Sequence, residues 1–368
     1  MDRMHIAILI GALIKGGTER VATNLADYFV SQGYRVTMVT QYQKENEYSL
    51  NPEVARIISD ISEEEITKSR IRNFKRRFCK LRNIWKREKP DVILSFIGKN
   101  NMMAILTSRF LGIPVAVSVR ADPYQEYDRS WMRFAARHLF ALSDGVILQT
   151  KQCFEFFPEK VRQKAVILKN PISDEFFRER YEGERDKTIV AVGRVDENKN
   201  HEMLIRAFAG IAGDFPDYQL IIYGEGDCRQ RLIQLVKELS LENQISLPGS
   251  INNVADAIYK ASVFVLCSNT EGVPNTLIEA MIMGTAVIAT DCPCGGPADL
   301  IEHQVNGILT PVGDVQLMKE NLQNLLKNLQ RMKEFGEKAK KTTDMFLPEK
   351  VYGKWEEYLV SLSGRHGK

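Results

Sequence analysis

Short apolar runs alternate with helix-periodic segments along nearly the whole chain, and this alternation restricts the possible folds more than any other feature. In the first half, His5–Ile10, Arg35–Thr40, Val92–Phe96, Val115–Val119, Gly145–Thr150 and Val166–Lys169 read as strands. Between the first two, Val21, Leu25, Tyr28 and Phe29 recur at helical spacing over Glu19–Ser31. A second series follows, with strands expected at Thr188–Val192, Gln219–Tyr223, Ile245–Leu247, Val263–Cys267 and Ala286–Thr290. Its helices are expected at 200–212, 227–240, 252–260, 275–283 and 314–326, and a last one over Glu349–Leu362 after Pro348. A run such as Val263–Cys267, apolar at every position, belongs to a strand covered on both faces. Strand–helix alternation of this kind builds parallel βα units. With 368 residues there is room for two such domains, expected at 1–172 and 188–348, joined by the polar, charged segment 173–187 as a linker.

Composition removes several function classes. Apolar and charged fractions of 44% and 26% are those of an ordinary globular protein, and a net charge of +3 gives no reason to expect a nucleic-acid partner. The six cysteines are scattered, and Cys292-Pro293-Cys294 is spaced too closely for a zinc knuckle. With no signal peptide in view, a reduced, cytoplasmic setting is expected. No apolar stretch approaches the ~18 residues that span a bilayer, and no short repeat suggests a solenoid.

The densest chemistry lies in Ser268–Ala280, directly after the run Val263–Cys267. Pro274 suits the first position of a helix that Gly284 would end. Glu271 then sits in the loop at the carboxyl end of a strand, and Glu279 lies about two turns into the helix. Open α/β sheets bind ligands at that end, and a helix start offers free N–H groups and a positive dipole end to an anion. Taken alone, acids near a helix start are as readily caps, worth about 0.3–1 kcal/mol each.

Other loops have the same character. Gly193-Arg194-Val195-Asp196-Glu197-Asn198-Lys199 closes a strand with two cations five residues apart, a planar fork and a point charge for phosphate oxygens. Gly11–Thr18 nearly matches a nucleoside-triphosphatase phosphate loop, but Gly17 stands where the lysine is required. It also lacks the G-x-G-x-x-G spacing of nicotinamide sites. The pair Gly16-Gly17 is either a turn needing positive φ or a place where backbone approaches a phosphate. Gly224 and Gly249 follow two further strands, and Asp291–Pro297 follows another.

Together these motifs resemble the retaining glycosyltransferases of the GT-B architecture, the glycogen-synthase-like group called family 4. The resemblance covers essentially the whole chain, strongest from Val192 to Pro311 and weakest from Asn51 to Ser118. It implies an α/β fold of two Rossmann-like lobes facing across a cleft, with the C-terminal helix (349–368) crossing back to the N-terminal lobe. It further implies that Arg194 and Lys199 hold the diphosphate of a nucleotide sugar, aided by Gly193 and by the helix start at Asn275 and Thr276. Glu271 would hold donor-sugar hydroxyls and Glu279 the ribose hydroxyls. Gly16 and Gly17 would face the diphosphate from the other lobe, Gly224 would pass near the nucleoside, and the backbone at Gly249 would meet the base. No metal and no cofactor beyond the donor, expected to be UDP-linked, are implied. Many relatives carry a sugar-contacting histidine after the strand Val115–Val119; here Arg120 stands in its place, with Asp122 close by. Arginine cannot serve as a base at neutral pH, so its role would be electrostatic.

Lys68–Lys89 holds eleven Lys or Arg residues against the single acid Glu88, and Ile71, Phe74, Phe78, Leu81 and Trp85 form one apolar stripe. Cations around an aromatic stripe suit an anionic membrane surface or a pyrophosphate-linked lipid. The expected function is transfer of a hexose or N-acetylhexosamine, with retained configuration, to a lipid-linked glycan acceptor in cell-surface polysaccharide synthesis. The enzyme would be peripheral on the inner face of the plasma membrane. The alternatives are a nucleotide-sugar epimerase of the same architecture and a non-catalytic adaptor.

Overall fold

The computed structural model describes residues 3–251 and 253–364, in two units: Met1–Pro171 with Pro348–Lys368, and Ile172–Leu347. In the first unit the strands are β1 (His5–Ile10), β2 (Arg35–Thr40), β3 (Ala55–Ile58), β4 (Val92–Phe96), β5 (Val115–Ser118), β6 (Gly145–Leu148) and β7 (Ala165–Ile167). They form one parallel sheet in the order β3-β2-β1-β4-β5-β6-β7. Every residue of β1, β4, β5 and β6 is buried, which is why these strands show as unbroken apolar runs. Sequence reasoning missed β3, a four-residue edge strand without a fully buried residue, whose Arg56 pairs with Glu47 at 2.6 Å.

The C-terminal helix, Pro348–Ser363, belongs to this unit. Val351, Trp355 and Leu359, four residues apart, form its buried face. Burial of such side chains contributes about 1.5–3 kcal/mol each. Glu356 accepts hydrogen bonds from the hydroxyls of Tyr28 and Tyr34, both at 2.6 Å, and Tyr352 stacks on Tyr28 with ring centres 4.5 Å apart.

The second unit contains β8 (Asp186–Val192), β9 (Gln219–Tyr223), β10 (Ile245–Gly249), β11 (Ala261–Leu266), β12 (Ala286–Asp291) and β13 (Ile308–Pro311). These are parallel, in the order β10-β9-β8-β11-β12-β13. Strand β13 and the helix Leu329–Lys340 were not expected. Residues 173–187, expected as a linker, pack on this unit instead. Phe176 joins a core cluster with Phe264, Ile278 and Met281. The Arg185 guanidinium donates to the carbonyls of Tyr259, Ala261 and Gly284 at 3.1, 2.8 and 2.8 Å, and Asp186 and Lys187 already form part of β8. Arg185 is thus an anchor, while Asp174, Glu175, Glu179, Glu182 and Glu184 stay exposed, and the chain passes between the units at Pro171–Ile172 and Leu347–Pro348.

Each sheet has a point where strand order reverses, between β1 and β4 in one unit and between β8 and β11 in the other. There the loops leaving two neighbouring strands diverge, and a crevice opens at their carboxyl ends.

Candidate active site

In the second unit the two loops at that crevice carry Lys199, after β8, and Glu271, after β11. Lys199 Nζ lies 2.5 Å from Glu271 Oε1, although the residues are 72 positions apart. Ser268 Oγ donates to the same oxygen at 2.6 Å. Glu271 Oε2 makes no hydrogen bond among the described residues, so one carboxylate oxygen remains for a ligand hydroxyl. Both side chains are mostly shielded from solvent, which strengthens their attraction over that of a surface pair.

Three asparagines hold the loops together. Asn198 Nδ2 donates to Thr270 O at 3.0 Å, and its Oδ1 accepts from Thr270 N (3.2 Å) and Oγ1 (3.0 Å). Asn269 N donates to Asn198 O at 2.7 Å, Asn200 Nδ2 to Asn269 Oδ1 at 3.0 Å, and Asn269 Nδ2 to Glu197 O at 2.9 Å. Below them the Cys267 thiol donates to Lys199 O at 3.1 Å; burial pushes that thiol up to about 12, so it acts as a packing group and not as a nucleophile. Sequence reasoning missed this network because asparagines in loops read as turn formers; the run Glu197-Asn198-Lys199-Asn200 was its only trace.

Glycines bring neighbouring strand-end loops against the two loops that bear this pair. Gly224, after β9, has φ +146°, and a Cβ there would lie 1.8 Å from Gly193 O. Gly296, after β12, lies so close to the Glu271 loop that a Cβ would be 1.6 Å from Gly272 O. Gly249 ends β10 with φ +95°. Asn275 and Thr276 begin the helix Asn275–Ile282, and Pro274 is its cap residue, not its first helical position.

The two expected cations differ. Arg194 is 70% exposed and pairs with Asp196 at 3.1 Å, whereas Lys199 points inward. Glu279 is wholly buried within its helix. His201 is buried beside Lys199; burial first, and then the lysine charge, push its pKa down to about 4, so it is neutral at physiological pH.

In the first unit, Gly16 caps the helix Gly17–Ser31 in an extended conformation, and neither Gly16 nor Gly17 has positive φ. The positive-φ explanation of this pair is thereby excluded. A Cβ at Gly16 would meet only the end of the flexible Glu19 side chain, with Oε2 at 2.5 Å, and the nearest backbone atom, Ile14 O, is at 3.7 Å. Arg120 follows β5 and is 8% exposed, with its guanidinium 5.8 Å from the ring centres of both Phe96 and Trp355. Its Nη2 donates to Asn170 Oδ1, which also accepts from Gln149 Nε2 at 2.7 Å. Its Nε and Nη1 have no hydrogen-bond partner among the described residues. Burial pushes its pKa down to about 9, still cationic at neutral pH. Asp122 caps the turn Pro123–Glu126 through Tyr124 N at 2.9 Å, a structural duty.

The basic helix runs Arg70–Glu88 and splits its apolar stripe. Leu81, Ile84 and Trp85 are buried, and Trp85 Nε1 donates to Thr107 Oγ1 at 2.9 Å. At the other end Ile71 is 83% and Phe74 51% exposed. Among the described residues no helix is long and apolar enough to cross a membrane, and no group of three or more His, Cys, Asp or Glu side chains gathers as a metal site would require.

Residues 173–342 match the family model described as glycosyl transferases group 1, and residues 15–176 match that of glycosyltransferase family 4. A relative from Campylobacter jejuni, the GalNAc-alpha-(1->4)-GalNAc-alpha-(1->3)-diNAcBac-PP-undecaprenol alpha-1,4-N-acetyl-D-galactosaminyltransferase, is 27% identical over 366 residues, 98% of this chain and 99% of that protein. An amylovoran biosynthesis glycosyltransferase from Erwinia amylovora is 23% identical, covering 96% and 99%. Among solved structures, Anabaena HepE in complex with UDP and glucose superposes with a TM-score of 0.83 at 16% identity, covering 98% of this chain and 100% of that one. Sucrose-phosphate synthase from Thermosynechococcus elongatus does so with 0.82 at 18%, covering 98% of each.

Proposed function

The chain belongs to the family of group 1 and family 4 glycosyltransferases, whose two models together match it from residue 15 to 342, and we propose that it moves a hexose or N-acetylhexosamine from a nucleotide diphosphate sugar to a lipid-linked glycan. Its fold is the GT-B architecture of two Rossmann-like parallel-sheet units, and its activity is that of a hexosyltransferase. The observation that carries the proposal is the Lys199–Glu271 pair at the β8/β11 switch point, with one carboxylate oxygen left open. The donor is proposed to be UDP-linked, transfer to retain configuration, and the product to enter cell-surface polysaccharide. The names of the Campylobacter and Erwinia relatives support the acceptor and pathway class.

In this reading Lys199 neutralises the charge that grows on the departing diphosphate, and the positive dipole end of the helix that starts at Asn275 and Thr276 adds to it. Arg194, on its exposed side chain, closes on the same phosphates when it leaves Asp196. These groups take the place of a divalent cation. Glu271 Oε2 holds donor-sugar hydroxyls, Gly193 lets backbone approach the diphosphate, and Gly224 and Gly249 let it approach the nucleoside. The ribose role of Glu279 and the diphosphate role of Gly16 and Gly17 rest on the family resemblance. Arg120 is a preformed buried cation with two unspent donors, suited to an oxyanion or sugar hydroxyl. The first turns of the basic helix, with exposed Ile71 and Phe74 among cations, suit contact with the inner membrane face. Flotation on anionic vesicles should weaken in Phe74→Asp; unchanged flotation removes that contact from the account.

The test is a thermal-shift screen of UDP- and GDP-sugars followed by transfer assays with lipid-linked acceptors. Glu271→Ala and Lys199→Ala should each cut transfer by roughly tens-fold or more while the fold survives. Near-wild-type transfer by both variants refutes the assignment.

A further inference from the structure

A second concave site lies at the carboxyl edge of the first unit's sheet, built from the segment between β5 and β6 and from Lys99 after β4. It is a cavity of about 300 Å³, lined by Lys99, Gln125, Glu126, Asp128, Arg129 and Trp131 among others, at the small end of the range for small-ligand pockets. We propose that this cavity is a sugar subsite, in which the face of one neutral pyranose of the acceptor glycan stacks on Trp131 while the surrounding polar groups bind its hydroxyls. The proposal rests on the glycosyltransferase reading above and adds the place where an acceptor sugar is held.

Four observations support it. Trp131 is 59% exposed, whereas Trp85 and Trp355 are wholly buried. A large indole left open at the rim of a cavity presents an apolar plate of the kind that the C–H face of a sugar covers. Second, the side chains of Lys99, Gln125, Asp128 and Arg129 are exposed and make no hydrogen bond or ion pair among the described residues, so they are available to a ligand. Nearby Arg133, by contrast, donates through Nε and Nη2 to the carbonyls of Tyr127 (2.9 Å), Tyr124 (3.3 Å) and Asp128 (3.2 Å).

Third, the charges are mixed. Lys99 and Arg129 share the lining with Asp128 and Glu126, so a phosphate or uronate gains little, while a ring of hydroxyls, each both donor and acceptor, can use cationic and acidic groups alike. An acyl chain would leave these charges unsolvated. Fourth, the cavity is tied to the ligand edge of the sheet. Glu126 Oε1 accepts from Gly98 N at 2.6 Å, after β4, and its Oε2 accepts from Arg120 N at 3.4 Å, after β5. The floor of the subsite is therefore bonded to the backbone of the buried cation described above, and burial raises the Glu126 pKa.

The buried state of the other two tryptophans makes the test direct. In the intact chain, emission that acrylamide can quench comes from Trp131. Titration with N,N′-diacetylchitobiose or with maltose at millimolar concentration should lower that quenching by about half, and Trp131→Phe should remove the response. Gln125→Ala and Asp128→Ala keep the indole and should each weaken the titration by about threefold to tenfold. No protection by either disaccharide overturns the proposal. Protection by anionic lipid vesicles alone overturns it as well and makes Trp131 a membrane anchor. Because the readout involves neither donor nor turnover, a failed titration leaves the second unit's chemistry standing. A successful one with no nucleotide binding would isolate failure of the donor assignment.

Discussion

Replacing Asn198 with alanine removes the side chain that joins the loop bearing Lys199 to the loop bearing Glu271. Three hydrogen bonds disappear, one donated to Thr270 O and two accepted from Thr270 N and Oγ1, at 3.0, 3.2 and 3.0 Å. Asn198 is half-buried, so water replaces part of what is lost, and at about 0.5–1.5 kcal/mol per bond the sum is roughly 2–3 kcal/mol. The backbone bond from Asn269 N to Asn198 O remains. The loss is therefore local and favours opening of the loop over global unfolding. A unit of this size should lose about 4–12 °C in melting temperature. Catalysis should suffer more, because an error of about 1 Å in placing Lys199 against Glu271 costs up to ~100-fold. The assay pairs thermal denaturation with transfer kinetics on the same preparations. Thr270→Val removes one of the three bonds and should fall between wild type and Asn198→Ala on both axes. Asn198→Asp keeps the acceptors but sets a carboxylate against Thr270 O, and should be at least as impaired as the alanine variant. Wild-type kinetics in Asn198→Ala, or a larger defect in Thr270→Val than in Asn198→Ala, would refute the reasoning.

Gly224→Ala sets a Cβ 1.8 Å from Gly193 O at φ +146° and should cost about 3 kcal/mol or more in urea denaturation; an unchanged midpoint contradicts the close approach of the two loops. His201 has a pKa of about 4 in the folded chain against 6.5 for an unperturbed imidazole, so the unfolded chain takes up its proton first as pH falls. Its stabilising contribution is complete above pH 6.5 and is lost between 6.5 and about 4, by up to roughly 3 kcal/mol; His201→Gln should flatten the stability profile in that window, and an unaltered profile counts against a buried neutral imidazole. Arg120→Met removes a buried cation of which two nitrogens lack partners, so transfer should fall by about tens-fold while the melting temperature holds or rises. A stable variant with full transfer removes Arg120 from the site.

What was legible in the sequence follows from burial. Strands β1, β4, β11 and β12 are covered on both faces, with five or more buried residues each, and their apolar runs revealed them without ambiguity. Strands β3 and β13 have four residues each and lie at sheet edges, where polar side chains such as Arg56 and Thr310 interrupt any pattern. Segment 173–187 misled because charge was equated with solvation, whereas Arg185 binds three main-chain carbonyls. At the candidate site, Lys199 and Glu271 stood out in the sequence by residue type and by position after strands, and the structure brings the two together at 2.5 Å. The link between them runs through asparagine side chains that join residues about 70 positions apart, a distance no periodicity encodes. The basic helix showed a further limit: its stripe repeats regularly from Ile71 to Trp85, yet only the C-terminal part finds a surface to pack against.

Calorimetric titration of the full chain with UDP, with a chelator present throughout, bears most directly on whether Lys199 and the surrounding loops replace a metal ion in holding a nucleoside diphosphate. The account predicts saturable binding that persists in chelator and weakens by about tenfold to a hundredfold in Lys199→Ala. Binding that requires a divalent cation, or affinity unaltered by the loss of Lys199, would contradict it.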